Sequence, residues 1–218
     1  MKFPDAHRGV KKIFTSEILG LIAAVTTIVL GVILIIQSGG NVDNLKIDGS
    51  ALLLLITSLA IVVILVVSEI LLIVGLANAA KDENCFSVAL AATVINLIAT
   101  ILQGVFTNSD NIQLKTIFSG VSNVCKLVAV IFIVFGIVTL AAELDDEHMV
   151  AKGGRILWIV VILQILSLTA SIVSTAYNTS DAAKVIVAIM VLAAGVLDMV
   201  KYIFYLSYLK KAVTMLEK

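Results

Sequence analysis

Three ionisable residues stand near the middle of stretches otherwise apolar enough to cross a lipid bilayer. They are Glu69, within residues 51–80, and Asp198 with Lys201, within residues 182–209. A charge at the bilayer centre costs at least ~2.5–3.5 kcal/mol on insertion scales, so such groups are expected to face a bundle interior or a wet cavity. At 1.5 Å per residue from the basic-flanked end of each stretch, these three fall about 12–17 Å deep, and Asn96 and Gln164 about 13–18 Å. Two carboxylates, one ammonium and two amides at one level predict a polar binding site made by Glu69, Asp198, Lys201, Asn96 and Gln164. One lysine does not neutralise two carboxylates, which leaves a place for a proton or a small cation. The competing reading is structural. Asp198 and Lys201, at i and i+3, neutralise each other on one helix face, and buried amides serve as hydrogen-bonding glue between helices.

Positioning such a site needs a bundle. The chain has 218 residues, 61% of them hydrophobic and only 14% charged, a composition foreign to soluble globular domains. Six apolar runs, residues 13–37, 51–80, 86–106, 117–142, 156–177 and 182–209, each approach or exceed the ~20 residues that span a ~30 Å hydrocarbon core. The expected fold is all-α, a single integral membrane domain of six helices over residues 1–218. Short polar connections are expected between them, the fourth spanning 143–154. The first run follows Lys2, Arg8, Lys11 and Lys12 like a signal-peptide core, but continues without a small-residue cleavage pattern and reads as a retained span.

The stripe Ala188, Val191, Gly195, Asp198, Tyr202 and Tyr205 recurs at intervals of three and four, which puts these small and polar residues on one helix face. Gly20, Gly31, Gly75, Gly104, Gly136 and Gly195 read as close-packing points between helices, and the only proline, Pro4, precedes the first span. No broken helix is expected. Three segments resemble one another: Leu21 to Val32, Val94 to Val105 and, more faintly, Ile165 to Ala176. They suggest three helical hairpins repeated in parallel orientation. Basic residues concentrate on one side, at Lys2, Arg8, Lys11, Lys12, Lys81, Lys152, Arg155, Lys210, Lys211 and Lys218, against Lys46, Lys115 and Lys184 on the other. Both termini are therefore expected in the cytoplasm, and the plasma membrane is the expected location.

Other polar residues carry less weight at this level. Glu17 reads as near the headgroups and in local contact with Lys12. Lys126 reads as snorkelling outward, with attraction of an anionic solute as its alternative. Tyr202, Tyr205 and Tyr208 read as packing and interfacial anchors, the first two within reach of the polar layer. Asp145, Asp146, Glu147 and His148 read as a solvated loop, since no metal-ligand spacing is present. With His7 and His148 the only histidines, no zinc or histidine-based chemistry is expected. Cys85 and Cys125 point towards opposite membrane faces as packing residues. Asn178-Thr179-Ser180 is a glycosylation sequon in an outer connection.

Nucleotide-binding and nucleophile motifs are absent. No catalytic residue, metal or cofactor is therefore assigned, and Lys plus Arg balance Asp plus Glu at 15 each, which argues against nucleic acid as a partner. In size, helix count and placement of termini the chain resembles the membrane-embedded substrate-binding subunits of energy-coupling-factor importers, which would imply an ATPase-linked membrane partner. Two function classes follow from these residues. One is a small-solute or ion transporter, or a membrane solute-binding subunit. The other is a scaffold, assembly or sensor subunit whose polar layer only specifies packing. Expected partners are membrane lipids, a small solute, proton or cation, and other membrane subunits.

Overall fold

The computed structural model describes residues 2–37, 49–107, 112–176 and 181–217; within them, 31–32, 34–37, 49–54, 107, 112–113, 115–116, 167–176 and 181–198 are described as helical backbone only. The described residues form six helices and no strand: α1 (Pro4–Gln37), α2 (Gly49–Ala79), α3 (Cys85–Thr107), α4 (Ile112–Glu143), α5 (Glu147–Ala176) and α6 (Asp181–Glu217). Helix is the economical answer for runs this apolar, because in lipid each backbone amide and carbonyl must be satisfied within its own segment. Among the described residues, five stretches are long and apolar enough to cross a membrane: Pro4–Leu30, Leu55–Ala79, Cys85–Phe106, Ile117–Glu143 and Glu147–Leu166. The sixth expected span lies mostly where only backbone is described, and the sequon at Asn178 lies outside the described residues.

Several helices run further than the apolar pattern. α1 begins at Pro4 rather than at residue 13, because proline suits the first helical position, where its missing N–H costs nothing. Asp5 in its first turn complements the helix dipole. Asp82, from the turn between α2 and α3, accepts the Ala6 amide on Oδ2 at 2.7 Å and so satisfies one of the orphan donors of the first turn. Asp82→Ala is expected to cost about 1 kcal/mol, read as a lowered thermal unfolding midpoint in detergent, with Asp82→Asn recovering most of it. Equal losses in both variants would show that the cap contributes through charge alone.

The expected 143–154 loop is a correction of the same kind. α4 ends at Glu143 and α5 starts at Glu147. Asp145 takes the left-handed conformation that ends a helix (φ 56°), and Asp146 Oδ1 caps the next by accepting the Met149 amide at 3.0 Å. Gly153 sits inside α5, where a Cβ would collide with Val138 and the Tyr208 hydroxyl.

Neighbours in sequence pack together, and α1 also packs on α6, so the six helices close into a ring. One end of the ring, here the base, carries the start of α1, the α2–α3 and α4–α5 turns and the end of α6. The buried apolar cluster lies towards the base and includes Val10, Ile13, Leu76, Phe86, Ile137, Leu140, Tyr208 and Leu209. Lys2 Nζ bonds the Glu143 carbonyl oxygen at 2.8 Å and ties the N-terminal segment to the end of α4.

Glycines set two of the close approaches. Gly9 and Gly75 face each other across the α1–α2 crossing, and the Phe86 ring lies over Gly136, 2.9 Å from where a Cβ would stand. Gly20 has only ordinary contacts, the nearest being the Tyr202 hydroxyl at 3.5 Å, and Gly104 has nothing within 4 Å, so the expected packing role fails there. The side-chain environments of Gly31 and Gly195 lie outside the description. Cys85 and Cys125 are half-buried and unpaired.

Candidate functional site

A cavity of about 410 Å³ lies inside the ring, lined by side chains from all six helices. Its volume matches small-molecule sites, which run from ~300 to ~1,000 Å³. α1 contributes Ser16 and Glu17, α2 Ser68 and Glu69, and α3 Thr93 and Asn96. Asn123 and Lys126 enter from α4, Gln164 from α5, and Lys201, Tyr202 and Tyr205 from α6. Leu65, Leu72, Leu127, Val130, Ile133 and Val160 supply apolar wall.

Each polar wall is held by hydrogen bonds between adjacent helices. Ser16 and Ser68 form a reciprocal clasp from α1 to α2, each hydroxyl donating to the other's backbone carbonyl at 2.8 Å. Ser122 Oγ donates to Asn96 Oδ1 at 2.7 Å and joins α4 to α3. Lys201 Nζ donates to Gln164 Oε1 at 2.9 Å and joins α6 to α5. The Tyr202 hydroxyl closes the ring by donating to Glu17 Oε2 at 2.7 Å, with the Glu17 carbonyl oxygen as a second acceptor.

The structure brings Glu69, Asn96, Gln164 and Lys201 to this one cavity. The side chain of Asp198 lies outside the described residues. Glu17 is a correction. It lines the cavity and bonds Tyr202 rather than lying at the headgroups beside Lys12. Glu17 lies only about 7 Å beyond Lys12, but α1 starts at Pro4, which places Glu17 about 20 Å along the helix.

Lys126 is a second correction, since it lines the cavity rather than leaning away from it. The signal was present in sequence: Asn123, Lys126, Leu127, Val130 and Ile133 share one face of α4 at helical spacing. Among described residues the cavity therefore holds two carboxylates, Glu17 and Glu69, and two ammonium groups, Lys126 and Lys201. Glu69 is close enough to Glu17 and to Lys126 to interact electrostatically with both. Its Oε2 is buried and has no hydrogen-bond partner.

In the acidic turn the Asp145 backbone conformation ends α4, and the Asp146 carboxylate caps α5.

These features define a helical-bundle protein with membrane-spanning character and an interior polar cavity. Comparison with protein-family models, curated proteins and solved structures finds no match, so the likeness to importer subunits gains no support there.

Proposed function

We propose that this chain is a multi-pass membrane protein that binds a small polar solute in its central cavity, as a transporter or as the membrane solute-binding subunit of one. The observation that carries the reading is the convergence of all six helices on one cavity holding two carboxylates and two ammonium groups. Placing four ionisable groups at membrane depth is costly, and such groups mark solute or ion pathways by default. In this reading the base faces the cytoplasm. It carries Arg8, Lys11, Lys12, Lys81, Lys152, Arg155, Lys210 and Lys211, and the exposed Trp158 in α5 suits an interfacial anchor. Three-hairpin repetition is part of the proposal. Gly20, Thr93 and Gln164 each immediately precede one of the three similar segments, and all three line the cavity.

A scaffold reading is favoured by a different observation. The clasp of Ser16 with Ser68, and the bonds Ser122–Asn96, Lys201–Gln164 and Tyr202–Glu17, all run between neighbouring helices, as polar glue would. Native mass spectrometry of the purified wild type and of Glu69→Gln separates the two. A small molecule that accompanies the wild type and falls at least tenfold in the variant supports solute binding. Two empty proteins that differ only in stability leave the polar residues as packing determinants.

A further inference from the structure

Two of the four charged groups in the cavity are already engaged by the protein. Glu17 accepts the Tyr202 hydroxyl, and Lys201 donates to Gln164. Glu69 and Lys126 are not. Glu69 keeps a buried oxygen without a partner, and no hydrogen bond or direct ion pair engages Lys126 among the described residues, although the two charges sense each other. They stand on α2 and α4, which are not neighbours in the ring but are separated by α3.

An anion and a cation left facing one cavity from different walls constrain what fills it. A simple cation at Glu69 would be repelled by Lys126 and leave that ammonium uncompensated. A simple anion at Lys126 would meet the combined charge of Glu69 and nearby Glu17. Buried charge is tolerated when it is paired and hydrogen-bonded. A molecule with both charges and no net charge meets that condition at both ends. Leu65 and Leu72 lie on the face of Glu69, and Leu127 and Val130 on that of Lys126, so the remainder of the molecule meets apolar wall. At ~30 Å³ per water, about 410 Å³ has room for an organic solute of this kind.

We infer that the cavity binds a zwitterionic organic solute, its ammonium group on Glu69 and its carboxylate on Lys126. The inference rests on the solute-binding reading above and names the substrate class within it. The test is titration calorimetry on the purified full chain in detergent with two probe sets. One set is leucine with leucinamide and 4-methylpentanoate, which lack the negative and the positive charge respectively. The other is 6-aminohexanoate with hexylamine and hexanoate, which sets the charges further apart.

The expected result is that at least one zwitterion binds at least tenfold more tightly than both of its singly charged analogues. Lys126→Gln should erase the preference over the amine, and Glu69→Gln the preference over the acid, each to within threefold. The inference is overturned if neither zwitterion outbinds its analogues, or if the preference survives in both variants. The mass-spectrometric comparison then tells the two failures apart. A co-purifying solute of another charge type, lost in Glu69→Gln, keeps the solute site and removes only the zwitterion. An empty wild type removes both.

Discussion

Gly75→Leu is expected to destabilise the α1–α2 crossing severely, with Gly9→Leu, whose Cβ would stand still closer to backbone atoms, at least as costly. A Cβ at residue 75 would stand 2.9 Å from the Gly9 carbonyl oxygen, 2.9 Å from Ile13 Cγ1 and 3.0 Å from the Ile13 amide nitrogen. Two of these neighbours are backbone atoms, which move only if the helix moves. Overpacking in cores costs ~1–3 kcal/mol when side chains can give way, and this site belongs at or above the top of that range. The effect will spread. Ser16 and Ser68 lie seven residues from Gly9 and Gly75, two helical turns along the same contact, so helices pushed apart at the glycines also strain the reciprocal serine clasp. Without a hydrophobic driving force between helices in lipid, this close approach and its hydrogen bonds are what hold the pair. Gly104→Leu is the matched control, because nothing lies within 4 Å of its Cβ position, and it should leave the unfolding midpoint near that of the wild type. Similar losses in the two variants would mean that leucine at a helical glycine is harmful in itself, and the crossing would lose its special status.

The helical class and the polar layer were legible because both rest on local quantities. Runs of Leu, Ile, Val and Ala reveal spans by length alone, and Glu69, Asn96, Gln164 and Lys201 were found by counting rise per residue. What was missed depended on where helices begin. Pro4 and Asp82 extend α1 well before its apolar run, and that shift moves Glu17 from the expected membrane edge into the cavity. Asp145 and Asp146 compress an expected twelve-residue loop into a turn of residues 144–146, because one ends a helix and the other starts the next. Hydropathy cannot see either event, since capping is decided by single polar atoms meeting backbone amides. Lys126 was misplaced for another reason. Snorkelling and inward pointing differ only in helix rotation, and on α4 that rotation is fixed by packing against α3 and α5. Gly75 and Gly104 look alike in sequence for the same reason, and only the partner helix distinguishes them.

The tyrosines of α6 offer a second large contrast, because two of three side chains on one helix bury unpartnered hydroxyls and the third holds its hydroxyl on a carboxylate. Tyr208 is fully buried in the basal core, and its hydroxyl has no hydrogen-bond partner. Truncation by Tyr208→Ala removes an aromatic ring from a packed site and should cost ~3–5 kcal/mol. Tyr208→Phe keeps the ring and deletes only the unpartnered hydroxyl. Leaving a buried polar group unsatisfied carries a penalty of ~1–3 kcal/mol, so its removal should be neutral or stabilising. Tyr205, also buried with an unpartnered hydroxyl, should respond to phenylalanine in the same direction. Tyr202 should not. Its hydroxyl donates to the Glu17 carboxylate, and Tyr202→Phe leaves that acceptor without this donor inside the cavity, an expected loss of ~1.5–3 kcal/mol for a hydrogen bond to a charged group. Thermal unfolding of the four variants in one detergent should therefore rank Tyr208→Ala lowest, Tyr202→Phe next, and Tyr205→Phe and Tyr208→Phe at or above the wild type. If Tyr208→Phe falls as far as Tyr202→Phe, the basal hydroxyl has a water partner, and the base is wetter than its apolar packing implies. If Tyr202→Phe is neutral, the link between α1 and α6 rests on packing alone, and the Glu17 carboxylate is available to whatever occupies the cavity.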